Sequence, residues 1–193
     1  DDLLYTHNGD NRGIGGAQHD LARTNIYNEF VSFGLNTTLN AFTYGGGTYY
    51  NVVAVHPGRD RPDDIYLVGA HYDSANTPGA DDNGSGVAGM LEMARVISTR
   101  QLEATVIFIA FDREEQGLIG SRAYAAAHAD DDILGMVSLD MLGYNPVGTH
   151  YNQAYIYGDN AFSAWKTKLA GAVATYSGGV TAQIAGALDQ SDH

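Results

Sequence analysis

The sequence predicts an α/β fold, a single domain in which a mostly parallel, mixed central sheet carries helices on both faces. Apolar runs that do not alternate with polar residues, such as 64–70 and 104–111, are typical of strands buried on both faces. Segments with apolar residues at helical spacing separate these runs, and strands that alternate with helices favour a layered sheet.

The elements follow one another in a regular order. The first is a helix over 17–33, where apolar residues recur at helical spacing before Gly34 ends it. Strands are predicted at 50–56, 64–70, 104–111, 134–142 and 153–158, and further helices from near Ser85, over 120–128 and over 161–175. We find no internal repeat or linker, so residues 1–193 are expected to form one domain.

Composition limits the classes of function. The chain has 193 residues, of which 44% are hydrophobic and 17% charged, as is typical of a globular protein. Its formal net charge of −13 disfavours nucleic acid and anionic membrane as partners. No apolar run approaches the roughly 20 residues that span a bilayer. The chain has no cysteine, which excludes thiolate metal ligands and cysteine nucleophiles.

Imidazole and carboxylate side chains follow the ends of successive predicted strands. The residues that share this position are His71, Asp73, Glu114, Glu115 and Asp140. Because ligands bind at the carboxyl ends of strands in folds of this kind, we expect these side chains to converge. Nitrogen and oxygen donors are the ligands of zinc and of harder divalent cations, so the set predicts a metal site.

A glycine-rich segment, PGADDNGSG at 78–86, places Asp81 and Asp82 just before a helix. Acids at a helix start also serve as ordinary caps without any metal. A phosphate-binding loop is disfavoured, because the GxxxxGK[ST] pattern is missing and two acids would repel a phosphate. His71 lies only ten residues before Asp81, so we interpret the segment as part of the metal site.

The chemistry of the residue types suggests roles within the set. A carboxylate usually holds the second ring nitrogen of a metal-bound imidazole, and Asp73 is placed to do this for His71. Of the adjacent Glu114 and Glu115, one can bind metal while the other acts as general base. Asp140 interrupts an apolar run, where a buried carboxylate is costly unless it is paired or binds a metal.

Five segments together resemble the zinc metallopeptidase M28 family, of the aminopeptidase Y and bacterial leucyl aminopeptidase type. They are HYD, PGADDNGSG, FDREEQGLIGS, the aspartate of SLDMLG, and the closing SDH, which ends at His193. The resemblance runs from about residue 20 to the end of the chain. It implies a zinc-exopeptidase-like fold of the phosphorylase/hydrolase-like kind, two Zn2+ ions and peptide substrates.

The resemblance also implies a role for each matching residue. Asp81 would bridge the two zinc ions, and its peptide bond to Asp82 is often cis in this family. The remaining ligands would be His71 and Asp140 on one zinc, and Glu115 and His193 on the other. Glu114 would be the general base and Asp73 would orient the imidazole of His71. A hydroxide that bridges the metals would attack the scissile carbonyl.

An aminopeptidase that hydrolyses N-terminal residues from peptides is therefore the expected function. Two alternatives share the fold: a carboxypeptidase, and a glutaminyl cyclase that uses one zinc. A third is a non-catalytic peptidase-like domain used for binding or assembly. The intact ligand set disfavours the cyclase, and the retained ligands and base disfavour the binding domain. The preferred substrate residue and the oligomeric state stay open.

The chain ends and the remaining histidines give further expectations. The N-terminus lacks the basic and apolar regions of a signal peptide, so none is expected in this form, although a precursor could have lost one. The expected location is secreted, periplasmic or extracellular. Members of the family continue past the last ligand, which implies a catalytic domain shortened after His193. The histidines outside every motif are expected to be surface or structural: His7, His19, His56, His128 and His150.

Overall fold

The computed structural model describes residues 3–7, 9–13, 15–143, 152–188 and 190–193, which divide into two compact units. The first unit runs to Leu142 and includes Asp192 and His193, and the second is Gly143–Ser191. The expectation that residues 1–193 form one catalytic domain stays a prediction.

The first unit holds three helices and five strands. The helices are α1 (His19–Ser32), α2 (Gly84–Ile97) and α3 (Ile119–Ala127). The strands are β1 (Asn36–Tyr44), β2 (Gly47–His56), β3 (Arg61–His71), β4 (Ala104–Phe111) and β5 (Ile133–Ser138). Every element predicted for this part of the chain is present, and β1 is an additional strand. No helix among the described residues is long and apolar enough to cross a bilayer.

The five strands form one mixed sheet in the order β1-β2-β4-β3-β5. β3 lies between β4 and β5 and is parallel to both, whereas the β1–β2 and β2–β4 pairs are antiparallel. This arrangement confirms the predicted mixed α/β fold class. The register of the parallel pair sets His71 opposite Phe111. The loops that follow β3 and β4 therefore start side by side.

The two faces of the sheet have separate apolar cores. One core joins α1 and α2 to the sheet through Ile26, Met90 and Phe108. The other joins α3 to the opposite face, where Tyr124 packs with Ile109. Phe108 and Ile109 are neighbours in β4 yet belong to different cores, because successive side chains of a strand point to opposite faces. Helices thus cover both faces, as predicted.

A tight hairpin joins β1 and β2 at the edge of the sheet. Tyr44 pairs with Gly47, so Gly45 and Gly46 form a two-residue loop with φ of +55° and +82°. Glycine adopts positive φ at no steric cost, and such loops match the twist of the strands they join. Only two of the nine residues of β1 are buried, which explains why no apolar run predicted it.

The second unit is a small parallel β-α-β arrangement. Its elements are β6 (Gln153–Ile156), a short 3-10 helix (Asn160–Phe162), α4 (Ser163–Tyr176) and β7 (Thr181–Ile184). The two strands pair in parallel. Lys166 is buried, and its Nζ donates hydrogen bonds to the carbonyls of Gly158 and Ala185 at 2.7 and 3.0 Å. The predicted strand at 153–158 and helix at 161–175 are present, whereas β7 was not predicted.

Candidate metal centre

The buried imidazole of His71 faces carboxylates from three loops. His71 is the last residue of β3 and is 1% exposed. Its Nε2 lies 3.2 Å from an oxygen of Asp82, 3.7 Å from one of Asp140 and 3.9 Å from one of Glu114. These loops follow β3, β5 and β4, whose carboxyl ends meet at this edge of the sheet. The convergence expected from the strand order is therefore present.

Two sets of potential ligand atoms share this imidazole. The ligand atoms of His71, Asp82 and Asp140 lie within 4.8 Å of one another, as do those of His71, Glu114 and Glu115. One imidazole with several carboxylates is a donor set that suits zinc. Four acids held this close repel one another unless protons or cations compensate their charge.

The crowding of charge perturbs the acids and the imidazole. Burial raises the pKa of Glu114 to about 8, and neighbouring carboxylates add to the rise against the opposing charge of His71. Burial also raises the pKa of Glu115, and the charge of Asp82 acts in the same direction. Burial alone would lower the pKa of His71, but the hydrogen bonds that its ring donates to the surrounding carboxylates outweigh it and raise that pKa. The cluster is thus a site that attracts positive charge.

Asp73 links the imidazole to the loop that carries both glutamates. The side chain is buried, and its two oxygens accept hydrogen bonds from the main-chain N–H groups of Glu114 and Glu115 at 3.1 and 3.2 Å. Its Oδ1 lies 3.5 Å from Nδ1 of His71. A single carboxylate therefore holds the imidazole of His71 and the main chain of both glutamates in place relative to one another. This position fits the orienting role expected for Asp73.

The structure brings Asp82 into the cluster in place of the expected Asp81. The carboxylate of Asp81 instead accepts a hydrogen bond from the Ser85 hydroxyl at 2.7 Å, and its carbonyl accepts one from the same group at 2.8 Å. Asp81 is thereby held at the first turn of α2, while Asp82 faces His71. The cis peptide bond expected between Asp81 and Asp82 lies instead between Asp82 and Asn83.

Asn83 was not among the predicted site residues, although it lies in the glycine-rich motif. It is fully buried, and its Oδ1 accepts hydrogen bonds from the N–H groups of Gly86 (3.0 Å) and Met141 (3.3 Å). Its Nδ2 donates to the carbonyl of Leu139 at 2.8 Å. Asn83 thus caps α2 and ties it to the segment that carries Asp140. Gly86 leaves no room for a Cβ, which would meet Asn83 and the Leu139 carbonyl.

The buried side chain of Arg12 holds the loop between β3 and α2 in place. Its side chain is 1% exposed, and its guanidinium donates hydrogen bonds only to main-chain carbonyls, those of Leu4, Tyr5, Tyr72, Pro78 and Gly79. Burial lowers the pKa of Arg12, against the charges of nearby aspartates. No motif surrounds Arg12 in the sequence, so nothing there indicated this role.

Asp112 anchors the start of the loop that carries the glutamates. Its N–H donates to Oδ1 of Asn51 at 3.0 Å, and Nδ2 of Asn51 donates to the carbonyl of Gly120 at 2.9 Å. Its Oδ1 lies 2.8 Å from Nε2 of His19. His19 thus makes a structural contact, as expected of a histidine outside the motifs. His150 lies outside the described residues.

Asp192 and His193 belong to the first unit and differ in exposure. Asp192 is buried, and burial raises its pKa to about 6, against the Ser121 hydroxyl and the charge of His71. His193 is exposed, and among the described residues it joins neither set of ligand atoms around His71. Its role as a ligand stays a prediction. Asp192 was not among the predicted site residues.

Residues 51–193 match the model of peptidase family M28. The chain belongs to this family. Leupeptin-inactivating enzyme 1 of Streptomyces exfoliatus is 37% identical over 146 residues, which cover 72% of this chain and 33% of that enzyme. The chain thus spans about a third of the length of this curated relative. The predicted membership of a zinc metallopeptidase family is confirmed.

Solved structures show the same fold. LapB from Legionella pneumophila superposes with a TM-score of 0.79 at 25% identity, over 96% of this chain and 53% of that one. A zinc aminopeptidase from Bacillus subtilis, BSAP, has a TM-score of 0.63 at 32% identity, over 78% of this chain and 37% of that one. A glutaminyl cyclase from Porphyromonas gingivalis, with a TM-score of 0.73 over 100% of this chain and 74% of that one, is 23% identical and shows the fold alone.

Proposed function

We propose that the chain carries the catalytic site of a zinc-dependent exopeptidase, an aminopeptidase that hydrolyses N-terminal residues from peptides. The observation that carries the proposal is the arrangement of three carboxylates around Nε2 of His71. Membership of peptidase family M28 and the likeness to a zinc aminopeptidase support the same reaction. A secreted or periplasmic location and a single catalytic domain belong to this proposal as predictions.

Two Zn2+ ions are proposed at the cluster. The proposed ligands are His71, Asp82, Glu115, Asp140 and His193. Asp82 replaces Asp81 as the shared ligand, because its carboxylate faces His71 while that of Asp81 is bound to Ser85. His193 is kept as a proposed ligand only because of its position in the SDH motif.

The residues present fit zinc. Nitrogen and carboxylate donors match its preference. Burial, together with neighbouring carboxylates, raises the pKa of Glu114 and Glu115, and a bound cation would favour their ionised forms. When bound, zinc supplies Lewis-acid polarisation of a carbonyl and lowers the pKa of water.

Glu114 is the proposed general base. Its side chain is 12% exposed, and its main chain is held by Asp73. A base works best when its pKa lies near the operating pH, and burial raises the pKa of Glu114 to about 8. A nearby cation would lower this value. Glu114 takes a proton from the attacking water and passes it to the leaving amine.

Hydrolysis of aminoacyl-p-nitroanilides tests this function. The zinc-loaded chain should release p-nitroaniline, a chelator should abolish the activity, and added zinc should restore it. Glu114→Gln should lower kcat by about 100-fold or more while the zinc content stays unchanged. Glu103→Gln, an exposed acid outside the site, is the matched control and should keep full activity. Activity that survives chelation, or in Glu114→Gln, contradicts the proposal.

A matched pair of neighbouring substitutions tests the shared ligand. Asp82→Asn should lower the zinc content after dialysis and reduce activity by about 10- to 100-fold or more. Asp81→Asn changes the same functional group one residue earlier and should keep its zinc, because that carboxylate is bound to Ser85. If Asp81→Asn loses zinc and Asp82→Asn does not, Asp81 is the shared ligand and the assignment to Asp82 is wrong.

Assays of the zinc-loaded chain on other substrates distinguish the aminopeptidase from the two alternatives that share the fold. A glutaminyl cyclase would convert peptides with N-terminal glutamine to pyroglutamyl peptides and would hold one zinc. A carboxypeptidase would act on peptides with a blocked amine and a free carboxyl end. Release of amino acids only from free N-termini, with two zinc ions per chain, favours the aminopeptidase over both.

A further inference from the structure

A second polar cavity lies at the N-terminal end of α1, apart from the residues of the metal cluster. It has a volume of about 370 Å³, and its lining includes Gly15, Gly16, His19, Arg23, Arg113 and one carboxylate, that of Asp20. Gln18, which precedes α1, makes no capping hydrogen bond with its side chain. The N–H groups of a helix start favour negative charge in such a position.

Arg113 is a buried cation without an anionic partner. The residue is 4% exposed, its Nε has no hydrogen-bond partner, and no carboxylate of the described residues forms an ion pair with it. Its guanidinium instead stacks on the ring of Tyr49, with Cζ 3.6 Å from the ring centroid. Stacking leaves the edge of the guanidinium plane, where the N–H groups are, available to an acceptor.

Arg12, which is also buried, provides a comparison, because its guanidinium has hydrogen-bond partners. Arg12 donates to five main-chain carbonyls, whereas Arg113 lines a cavity. The formal net charge of the chain is −13, so carboxylates are abundant elsewhere. The absence of a carboxylate at Arg113 therefore leaves room for a ligand that supplies one.

Two further cations border the cavity. Arg23 contacts Asp20 at 2.8 Å, but the Asp20 side chain is 74% exposed, so solvent can replace this contact. His19 places Nε2 2.8 Å from Asp112 and Nδ1 3.2 Å from Asp20. Hydrogen bonds from both ring nitrogens to carboxylates favour the doubly protonated imidazole. The cavity therefore combines three cationic groups with a helix start.

We propose that this cavity binds a small oxyanion, a carboxylate or a group of the sulfate and phosphate type, between Arg113 and the first turn of α1. The planar guanidinium matches two oxygens of such an anion, and Gly15, where a Cβ would meet no neighbouring atom, lets the main chain approach it closely. No lining residue is a proposed zinc ligand or the general base. The proposal is therefore independent of the peptidase function.

Nuclear magnetic resonance titration of the zinc-loaded chain tests the site. Sulfate and acetate serve as separate probes, with chloride at matched ionic strength as the reference. Saturable shifts of the amides of Gly15 and Gly16 and of the Arg113 Nε–H are expected. If sulfate saturates the site at a lower concentration than acetate, the site prefers tetrahedral anions. If acetate saturates it at a lower concentration, the site prefers carboxylates. Shifts confined to the loops around His71 overturn the proposal, because they place the anion at the zinc site.

Three arginine variants complete the test. Arg113→Asn should weaken binding by about tenfold or more, and asparagine is tolerated at the φ of +64° found there. Arg23→Gln, on the more accessible side of the cavity, should weaken it several-fold and remains informative if Arg113→Asn does not fold. Arg95→Gln, an exposed arginine paired with Glu92, is the matched control and should bind as the parent does. Equal affinity in the parent, Arg113→Asn and Arg23→Gln overturns the proposal.

Discussion

Two loops carry most of the candidate ligands, and opposite kinds of hydrogen bond hold them. In the loop of residues 72–83, the Arg12 guanidinium donates to main-chain carbonyls. In the loop of residues 112–118, the Asp73 carboxylate accepts from the main-chain N–H groups of Glu114 and Glu115. Each loop is thus fixed through its main chain, and one acidic side chain of each, Asp82 and Glu114, remains turned towards His71.

The two loops should also differ in how their stability responds to pH. The first depends on an arginine, which stays charged under all conditions in which the protein folds. The second loop begins at Asp112, which is bound to the titratable ring of His19. The loop of residues 72–83 should therefore be held independently of pH, and the loop of residues 112–118 should not.

Arg12→Ala should be the most damaging change to the first loop. It leaves several buried carbonyls without donors, and each such group costs about 1–3 kcal/mol, so we expect a loss of about 3 kcal/mol or more in the free energy of unfolding. Urea denaturation measures it. Arg12→Lys should recover only part of the loss, because one ammonium cannot reach all the carbonyls. Stability equal to that of the parent would mean that the loop does not depend on Arg12.

Zinc should join the two loops and stabilise both. At a free zinc concentration about 100 times the dissociation constant, the free energy of unfolding should rise by about 2.7 kcal/mol for one site. Thermal unfolding with and without chelator measures the gain. Asp82→Asn should lose much of it and Asp81→Asn should keep it. A gain that is equal in both variants would show that zinc does not bind where the two loops meet.

Asp73→Asn should loosen the second loop. The amide group that replaces one oxygen cannot accept a hydrogen bond from Glu114 or Glu115, so we expect a loss of about 2 kcal/mol in stability. Peptidase activity should fall by about 10- to 100-fold, because the imidazole loses its orienting partner. Denaturation and nitroanilide assays measure the two effects. Glu103→Gln is the control, and a fall in stability without a fall in activity would remove Asp73 from the site.

His19→Gln should give the smallest effect on stability, and this effect should vary with pH. Although burial opposes it, the bonds to Asp112 and Asp20 raise the pKa of His19 above 6.5 in the folded protein. Its contribution to stability, about 1 kcal/mol, is therefore complete below pH 6.5 and is lost as the pH rises through the raised value. Urea denaturation of parent and variant from pH 6 to pH 9 should show the difference shrinking. A difference that grows with pH would contradict this sign.

The fold was predictable where one physical signal dominated. β4 is buried at all eight positions, and its unbroken apolar run identified it at its correct bounds. β1 escaped prediction because it is an edge strand, with most of its side chains exposed and no apolar run. β7 has only four residues, and none of them is fully buried. A run of buried apolar side chains thus marks a strand in the sequence, and a strand whose side chains are mostly exposed carries no such mark.

The candidate site was predictable as a set of strand ends, but its details were not. The rule that ligands gather at the carboxyl ends of strands brought His71, Asp140 and the glutamates together correctly. Asp81 and Asp82 are adjacent and chemically identical, so only the path of the turn into α2 decides which one faces His71. That path depends on the hydrogen bonds of Asn83 and Ser85, which the sequence does not display.

The supporting residues escaped prediction for a different reason. Arg12 lies 60 residues before Tyr72, whose carbonyl it binds, and no local pattern marks a contact between such distant parts of the chain. Arg113 stands beside two glutamates in the sequence, and charged residues of this kind are mostly exposed in proteins. Only the structure shows it buried against Tyr49.

The hairpin of Gly45 and Gly46 offers a place to alter this protein without touching its chemistry. β1 pairs with β2 alone, and β4 separates that pair from the strand that ends in His71. The tip of the hairpin extends past the carboxyl end of β4, the end at which the zinc-binding loops begin, but it lies two strands away from His71. A peptide tag or fluorophore inserted between the two exposed glycines would therefore extend into solvent without replacing a residue of the candidate site. Such a marker would report on the protein in a mixture while the zinc-binding loops kept their shape.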